Sequence, residues 1–178
     1  DAEGVNLTLT LDSGIQYECE RALAQGVDDA AADTASIVVM RPEDGAILGL
    51  ANYPSFDPSE AVPSETSERK AAMNRRRNLA IQAPCEPGSV MKMITISMAF
   101  DTHRYTPEST IFCENGRFPR PGRKPITDIH GGHGLLTVPM VLIKSSNVGV
   151  AKVAIDLGPK MLWTYLQKFG MGKKTGIE

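Results

Sequence analysis

The chain has 178 residues, 42% hydrophobic and 22% charged, the balance of an ordinary globular protein large enough to bury a core. Its formal net charge of −2 leaves no electrostatic footprint for a nucleic acid, and no apolar run reaches the length of a membrane span. Three scattered cysteines, Cys19, Cys85 and Cys113, have neither metal-ligand spacing nor the even count of a disulfide framework, and no signal peptide opens the chain.

Val5 to Leu11 alternates apolar and polar residues, which predicts a half-buried strand. Asp12 suits a helix N-cap. Ile15, Cys19, Ala22 and Leu23 follow at helical spacing, so a helix is expected over 13–25 with Gly26 as its stop. In "ASIVVMRPEDGAILGLANY" two apolar, β-branched runs flank Pro42-Glu43-Asp44-Gly45, which predicts a β-hairpin. "YPSFDPSEAVPSE" reads as a loop, and Ser67 to Arg77 as an exposed helix. The cluster Arg75-Arg76-Arg77 has no interleaved aromatic residues and reads as a solvated face.

Glu86-Pro87-Gly88 breaks the chain. From Ser89 to Phe100 the sequence is apolar on nearly all sides, which predicts a buried helix. Residues 104–134, rich in Pro, Gly and Arg, read as loop. Thr137-Val138-Pro139 reads as an N-cap and first turn, opening a short helix that ends at Lys144. Ser145-Ser146-Asn147 interrupts, a second helix is expected over 148–157, and a last one over 160–169. Residues 1–60 thus hold strands and a helix, and residues 61–178 are mostly helical. Two strands alone do not make a stable sheet, so further strands come from elsewhere or the chain is part of a larger domain.

Ser89 and Lys92 stand at i and i+3, on one face of the buried helix. A serine hydroxyl is a poor nucleophile without a base beside it. A lysine serves as that base once burial lowers its pKa. The same four residues also fit an N-cap serine with a snorkelling lysine. Ser145 and Asn147 add a second hydroxyl and an amide at a polar break between helices, where capping is the bland alternative. The ordered pair S-x-x-K then S-x-N is the more informative signal, because it occurs in penicillin-binding proteins and serine β-lactamases. His130 and His133 in "IHGGHG" lack a carboxylate or cysteine partner at ligand spacing and read as a turn. His103 reads as a helix-end residue and Cys85 as a packing residue.

"EPGSVMK" at 86–92 resembles the active-site motif of class B penicillin-binding proteins, and "GLLTVPMVLIKSSNVGVAKVA" at 134–154 resembles their second-motif segment. "LTLTLDSGIQ", "IVVMRPEDGAILGLANYPSFDP" and "YLQKFGMGKKTGI" are similar to the flanking segments in the same order, so the resemblance covers nearly the whole chain. It implies an α/β fold of the α+β kind, the transpeptidase fold shared with serine β-lactamases, present in part. The implied activity is a serine D,D-transpeptidase that cross-links peptidoglycan stem peptides and is the target of β-lactam antibiotics. Ser89 would be the nucleophile, Lys92 the base, Ser145 a proton relay, and Asn147 the residue that holds substrate amide and contacts Lys92. The Ser89 N–H would be half of an oxyanion hole. No cofactor, metal or nucleic acid is implied. The partners would be stem peptides, β-lactams and the cell-wall synthesis machinery. Location would be the periplasmic, extracytoplasmic face of the bacterial inner membrane, with attachment through an anchor absent from this chain.

One departure is expected to matter. The family's third motif, K-T-G on a strand, is not matched by "KKTG" at 173–176, which follows Ser145 closely and sits after a helix end. The chain therefore reads as the front part of a transpeptidase domain, cut short or completed by a separate chain, and inert alone for want of the second oxyanion N–H. A serine β-lactamase, a β-lactam-sensor domain or a D,D-carboxypeptidase would share Ser89 and Lys92. A non-catalytic scaffold module is the reading of a different class.

Overall fold

The computed structural model describes residues 4–177. They form two compact units, one up to Cys85 and one from Glu86 onward. Residues 61–85 fall in the first unit.

In the first unit, α1 (Ser13–Ala30) starts where Asp12 caps it, its carboxylate accepting from Ile15 N at 2.9 Å. The helix runs past the expected stop at Gly26. Cys19, Leu23 and Val27 recur every fourth residue and are all buried, so the apolar stripe carries the helix on, and a glycine inside it costs only about 1 kcal/mol. The hairpin forms as expected from β1 (Ala35–Met40) and β2 (Ile47–Tyr53), antiparallel, with a register shift between Val39 and Met40. α1 covers one face of it, burying Cys19, Leu23 and Ala51 against Ile15, Ile37 and Val39.

The strand expected over Val5 to Leu11 does not form. Val5, Leu7 and Leu9 are 96%, 81% and 60% exposed, so the alternation has nothing to bury against. The outer edge of β2 is already occupied. Thr10 Oγ1 donates to Ile47 O, Asp12 N donates to Leu48 O, and the Gln16 side-chain amide takes both Leu50 N and Leu50 O. These groups satisfy the edge that a further strand would need.

α2 (Thr66–Arg75) and a single turn, α3 (Leu79–Gln82), complete this unit. Arg76 corrects the expected solvated face. Its guanidinium lies over the Phe56 ring at 4.6 Å and donates to Glu60 O at 2.5 Å, tying the preceding loop down. Arg75 and Arg77 are exposed, as expected of a solvated face.

The second unit opens with a 3₁₀ turn, Gly88–Val90, that leads into α4 (Met91–Asp101). As the composition predicts, α4 is buried over most of its surface, with Ile94, Thr95, Ile96, Met98 and Ala99 inside. Residues 104–134 are more ordered than a loop. They contain β3 (Thr110–Phe112), β4 (Arg117–Arg120) and β5 (Arg123–Thr127), followed by β6 (Leu135–Thr137). β3 pairs with β6 and β4 with β5, so the strands were hidden by being too short to show a period.

α5 (Val138–Ile143), capped by Thr137 with Pro139 in its first turn, and α6 (Asn147–Leu157) follow, then α7 (Pro159–Lys168). The main core joins Ile96 and Ala99 of α4 to Val138, Val141, Val148 and Val153 of α5 and α6. Gly149 permits the closest part of that packing, since a Cβ there would stand 2.7 Å from Val141 Cγ2 and 3.0 Å from Cys113 Sγ. Among the described residues no helix is long and apolar enough to cross a membrane.

Candidate active site

Ser89 lies in the 3₁₀ turn, one step ahead of the helix in whose first turn the sequence put it. Gly88 makes that turn possible with φ +53, a left-handed conformation that glycine adopts without strain. Ser89 is exposed, whereas Lys92, one turn on in α4, is only 8% exposed. The apolar helix thus buries the amine and leaves the hydroxyl accessible.

Lys92 Nζ turns toward the break between α5 and α6. It donates to Ser145 O at 2.5 Å and to Ser145 Oγ at 2.8 Å, and Ser145 Oγ donates to Ser89 Oγ at 3.0 Å. The three polar atoms form a row in which Ser145 stands between the other two.

Ser145 reaches this position through the end of α5. Ser145 N donates to Leu142 O and Ser146 N to Val141 O, the paired bonds of a Schellman helix stop. That stop calls for a left-handed residue, usually glycine, and here it is Ser145 with φ +52. A serine in this conformation costs on the order of 1–3 kcal/mol and persists only where its surroundings hold it.

The next residues open α6. Ser146 is the N-cap, fully buried, with its Oγ accepting from Gly149 N at 2.9 Å. Asn147 Nδ2 donates to Thr127 O at 2.8 Å, at the end of β5. The expected contact of Asn147 with Lys92 is therefore not made. Among the described residues both hydrogen bonds of Lys92 go to Ser145.

Burial lowers the pKa of Lys92 from the ordinary 10.5, and the negative charge of Asp128 opposes that from the other side. Burial is the larger effect, so the neutral amine is reached at a lower pH than for a free lysine. Lys92 makes no salt bridge among the described residues, so nothing there locks the ammonium form by direct contact.

Asp128 and Ser146 are the participants that the sequence reading did not single out. Ser146 was legible only as part of a polar break. Asp128 is 17 positions before Ser145, and no local pattern links them.

A family model described as the penicillin binding protein transpeptidase domain matches residues 35–178. The chain belongs to that family. Among the penicillin-binding-protein transpeptidases it is 32% identical over 176 residues to stage V sporulation protein D of Bacillus subtilis, covering 99% of this chain and 26% of that protein. It is 32% identical over 167 residues to a probable peptidoglycan D,D-transpeptidase, PbpC, of Pseudomonas aeruginosa, covering 94% of this chain and 28% of that protein. The transpeptidase domain of Burkholderia pseudomallei penicillin-binding protein 3 superimposes with a TM-score of 0.78 at 34% identity, covering 99% of this chain and 47% of that one. Penicillin-binding protein 3 of Mycobacterium tuberculosis gives 0.82 at 30% identity, covering 95% and 36%. The chain has the mixed helix-and-strand fold of these domains, in part, and spans about a quarter of the length of the curated relatives.

None of the remaining sequence candidates hydrogen-bonds to Ser89, Lys92 or Ser145 among the described residues. His103 follows α4 with φ +53, its N–H donating to Phe100 O, as expected of a helix end. His130 is exposed and His133 half-buried, and no group of three or more metal-capable side chains occurs among the described residues. Cys85 is exposed, which corrects the expected packing role. "KKTG" at 173–176 follows α7 and is not in a strand.

Proposed function

We propose that this chain carries the acylation machinery of a serine D,D-transpeptidase that cross-links peptidoglycan stem peptides. The observation that carries the proposal is the hydrogen-bonded row from Lys92 Nζ through Ser145 Oγ to Ser89 Oγ. A buried amine, a relay hydroxyl and an exposed hydroxyl are the parts that a serine nucleophile needs.

With Lys92 neutral, the row reverses its donors. Ser89 donates to Ser145, and Ser145 donates to the Lys92 lone pair. As Ser89 Oγ bonds to the carbonyl carbon of the penultimate D-alanine, its proton passes to Ser145, and the Ser145 proton passes to Lys92. The tetrahedral oxyanion would be met by the Ser89 N–H, in a turn whose first donors have no partner inside the helix. Collapse breaks the bond to the terminal D-alanine, whose amine takes a proton back along the row. The amine of a neighbouring stem then attacks the acyl-enzyme by the same steps in reverse. A β-lactam ring would acylate Ser89 likewise, with its own amide bond breaking. Asn147 would present its remaining amide valence to substrate while β5 holds it. Stem peptides place this work outside the cytoplasm, beside other cell-wall enzymes.

Intact mass spectrometry of the full-length protein, before and after excess benzylpenicillin, tests the reading. One stable penicilloyl adduct, absent from Ser89→Ala, is the expected result. An adduct of equal yield on Ser89→Ala overturns the assignment, and rapid release of the adduct would make the protein a β-lactamase instead.

A further inference from the structure

Asp128 lies just past β5, half-buried, with its own N–H donating to Gly116 O at 3.0 Å. Its carboxylate accepts from Ser146 Oγ at 2.9 Å and from Val148 N at 3.0 Å. Thr127 O, one residue back, accepts from Asn147. Three consecutive residues, 146 to 148, are therefore tied to the end of one strand. The residue before them is Ser145, in the left-handed conformation that needs holding.

We infer that Asp128 is a positioning residue of this site: its carboxylate clamps the turn that presents Ser145, and its charge acts on the Lys92 ammonium. The inference rests on the reading of Ser89 as nucleophile. It joins two roles in one group. A carboxylate at the start of α6 satisfies free backbone donors and suits the positive end of the helix. Because Ser145 touches both Lys92 and Ser89, a loosened clamp disturbs two contacts of the row at once.

The charged and titratable groups around Asp128 are few. Lys92 of α4 feels it, and so does the buried Cys113 after β3, whose thiol burial pushes up. Glu114 and Lys152 act on Cys113 too, but they pair with each other at 2.7 Å. His130, two residues on, is exposed. Removal of the Asp128 charge is therefore expected to move the titration of Lys92, since Asp128 is the charge that acts on it among the described residues.

The experiment follows the rate of acylation by benzylpenicillin against pH in the full-length protein. It uses Asp128→Asn, which keeps an acceptor oxygen without the charge, and Ser146→Ala, which keeps the charge without the hydroxyl. Asp128→Asn is expected to lower the alkaline plateau about tenfold or more and to shift the rate midpoint to lower pH. Ser146→Ala is expected to lower the plateau with the midpoint unmoved. An Asp128→Asn plateau within about twofold of the unmodified protein overturns the proposal, as does a lowered plateau at an unmoved midpoint, which means a helix cap only. Should Asp128→Asn not fold, Asp128→Glu decides. The charge on a longer arm should keep the midpoint and lower the plateau about tenfold, and a plateau within about twofold overturns the proposal. A penicilloyl adduct on Ser89→Ala counts against the nucleophile itself, whatever Asp128 does.

Discussion

The two units of this chain are built from similar elements and differ in how firmly they are packed. The first unit centres on Cys19, Leu23 and Ala51, none of them fully enclosed. The site-bearing unit holds Met98, Val138, Val141, Val148 and Val153 at 0% exposure. The difference matches what each contains. Ser145 is kept in a strained conformation, and only a surrounding that cannot relax keeps it there. The row runs outward from that packed unit, from buried Lys92 through half-buried Ser145 to exposed Ser89, and the burial of Lys92 lowers its pKa.

The largest expected effect breaks the row itself. Lys92→Met should slow β-lactam acylation by about 10²–10⁴-fold, and Lys92→Arg by a similar factor, since a guanidinium does not give up its proton. Stopped-flow competition with nitrocefin reads both. In the unmodified protein the rate should rise with pH to a plateau, with a midpoint below the free-lysine value of 10.5, because burial disfavours the ammonium. The sign carries over to stability. The unfolded chain holds this proton to higher pH than the folded one, so folding gains as pH rises from the lowered value toward 10.5. A midpoint at or above 10.5 would remove Lys92 as the base.

Packing is the next term in the comparison. Met98→Ala should destabilise by about 2–5 kcal/mol in urea unfolding and slow acylation, since Met98 lies in α4 with Lys92. Leu23→Ala in α1 should also destabilise, but leave the acylation rate of the folded protein unchanged. Equal slowing by both would show that the site depends on the whole chain equally.

Ser145→Gly separates strain from function. Glycine suits φ +52, so the variant should gain about 1 kcal/mol in thermal or urea unfolding while acylation collapses. Lost stability would mean that the Ser145 hydroxyl, with its bonds to Lys92 and Ser89, outweighs the strain. The smallest effect belongs to the segment before α1. Val5→Ser and Leu7→Ser should each change stability by no more than about 0.5 kcal/mol, because both side chains face solvent.

Features with a local cause could be read from the sequence. Asp12 before α1, the Pro42–Gly45 turn, the uniform apolarity of α4 and the Thr137 cap each act within a few residues, and each appears where the pattern put it. Helical spacing put Ser89 and Lys92 forward together, the polar break at 145–147 put forward Ser145 and Asn147, and the family resemblance gave the four their expected roles. Features that depend on what a segment meets could not be read this way. Val5 to Leu11 alternates like a strand, but the edge of β2 is filled by Thr10, Asp12 and Gln16. Residues 104–134 look like loop because strands of three to five residues are stabilised by their partners rather than by their own period. Arg76 looks like a solvated charge until Phe56 lies beneath it.

By itself, then, the sequence determined the local elements and which side chains could do chemistry, because caps, turns and helical periods are short-range physics. Tertiary structure alone decided that Lys92 reaches Ser89 by way of Ser145, that Asn147 pairs with Thr127, and that Asp128 holds the turn between them. Those contacts join residues 18 to 56 positions apart, and their existence depends on the burial that brings α4, β5 and α6 together.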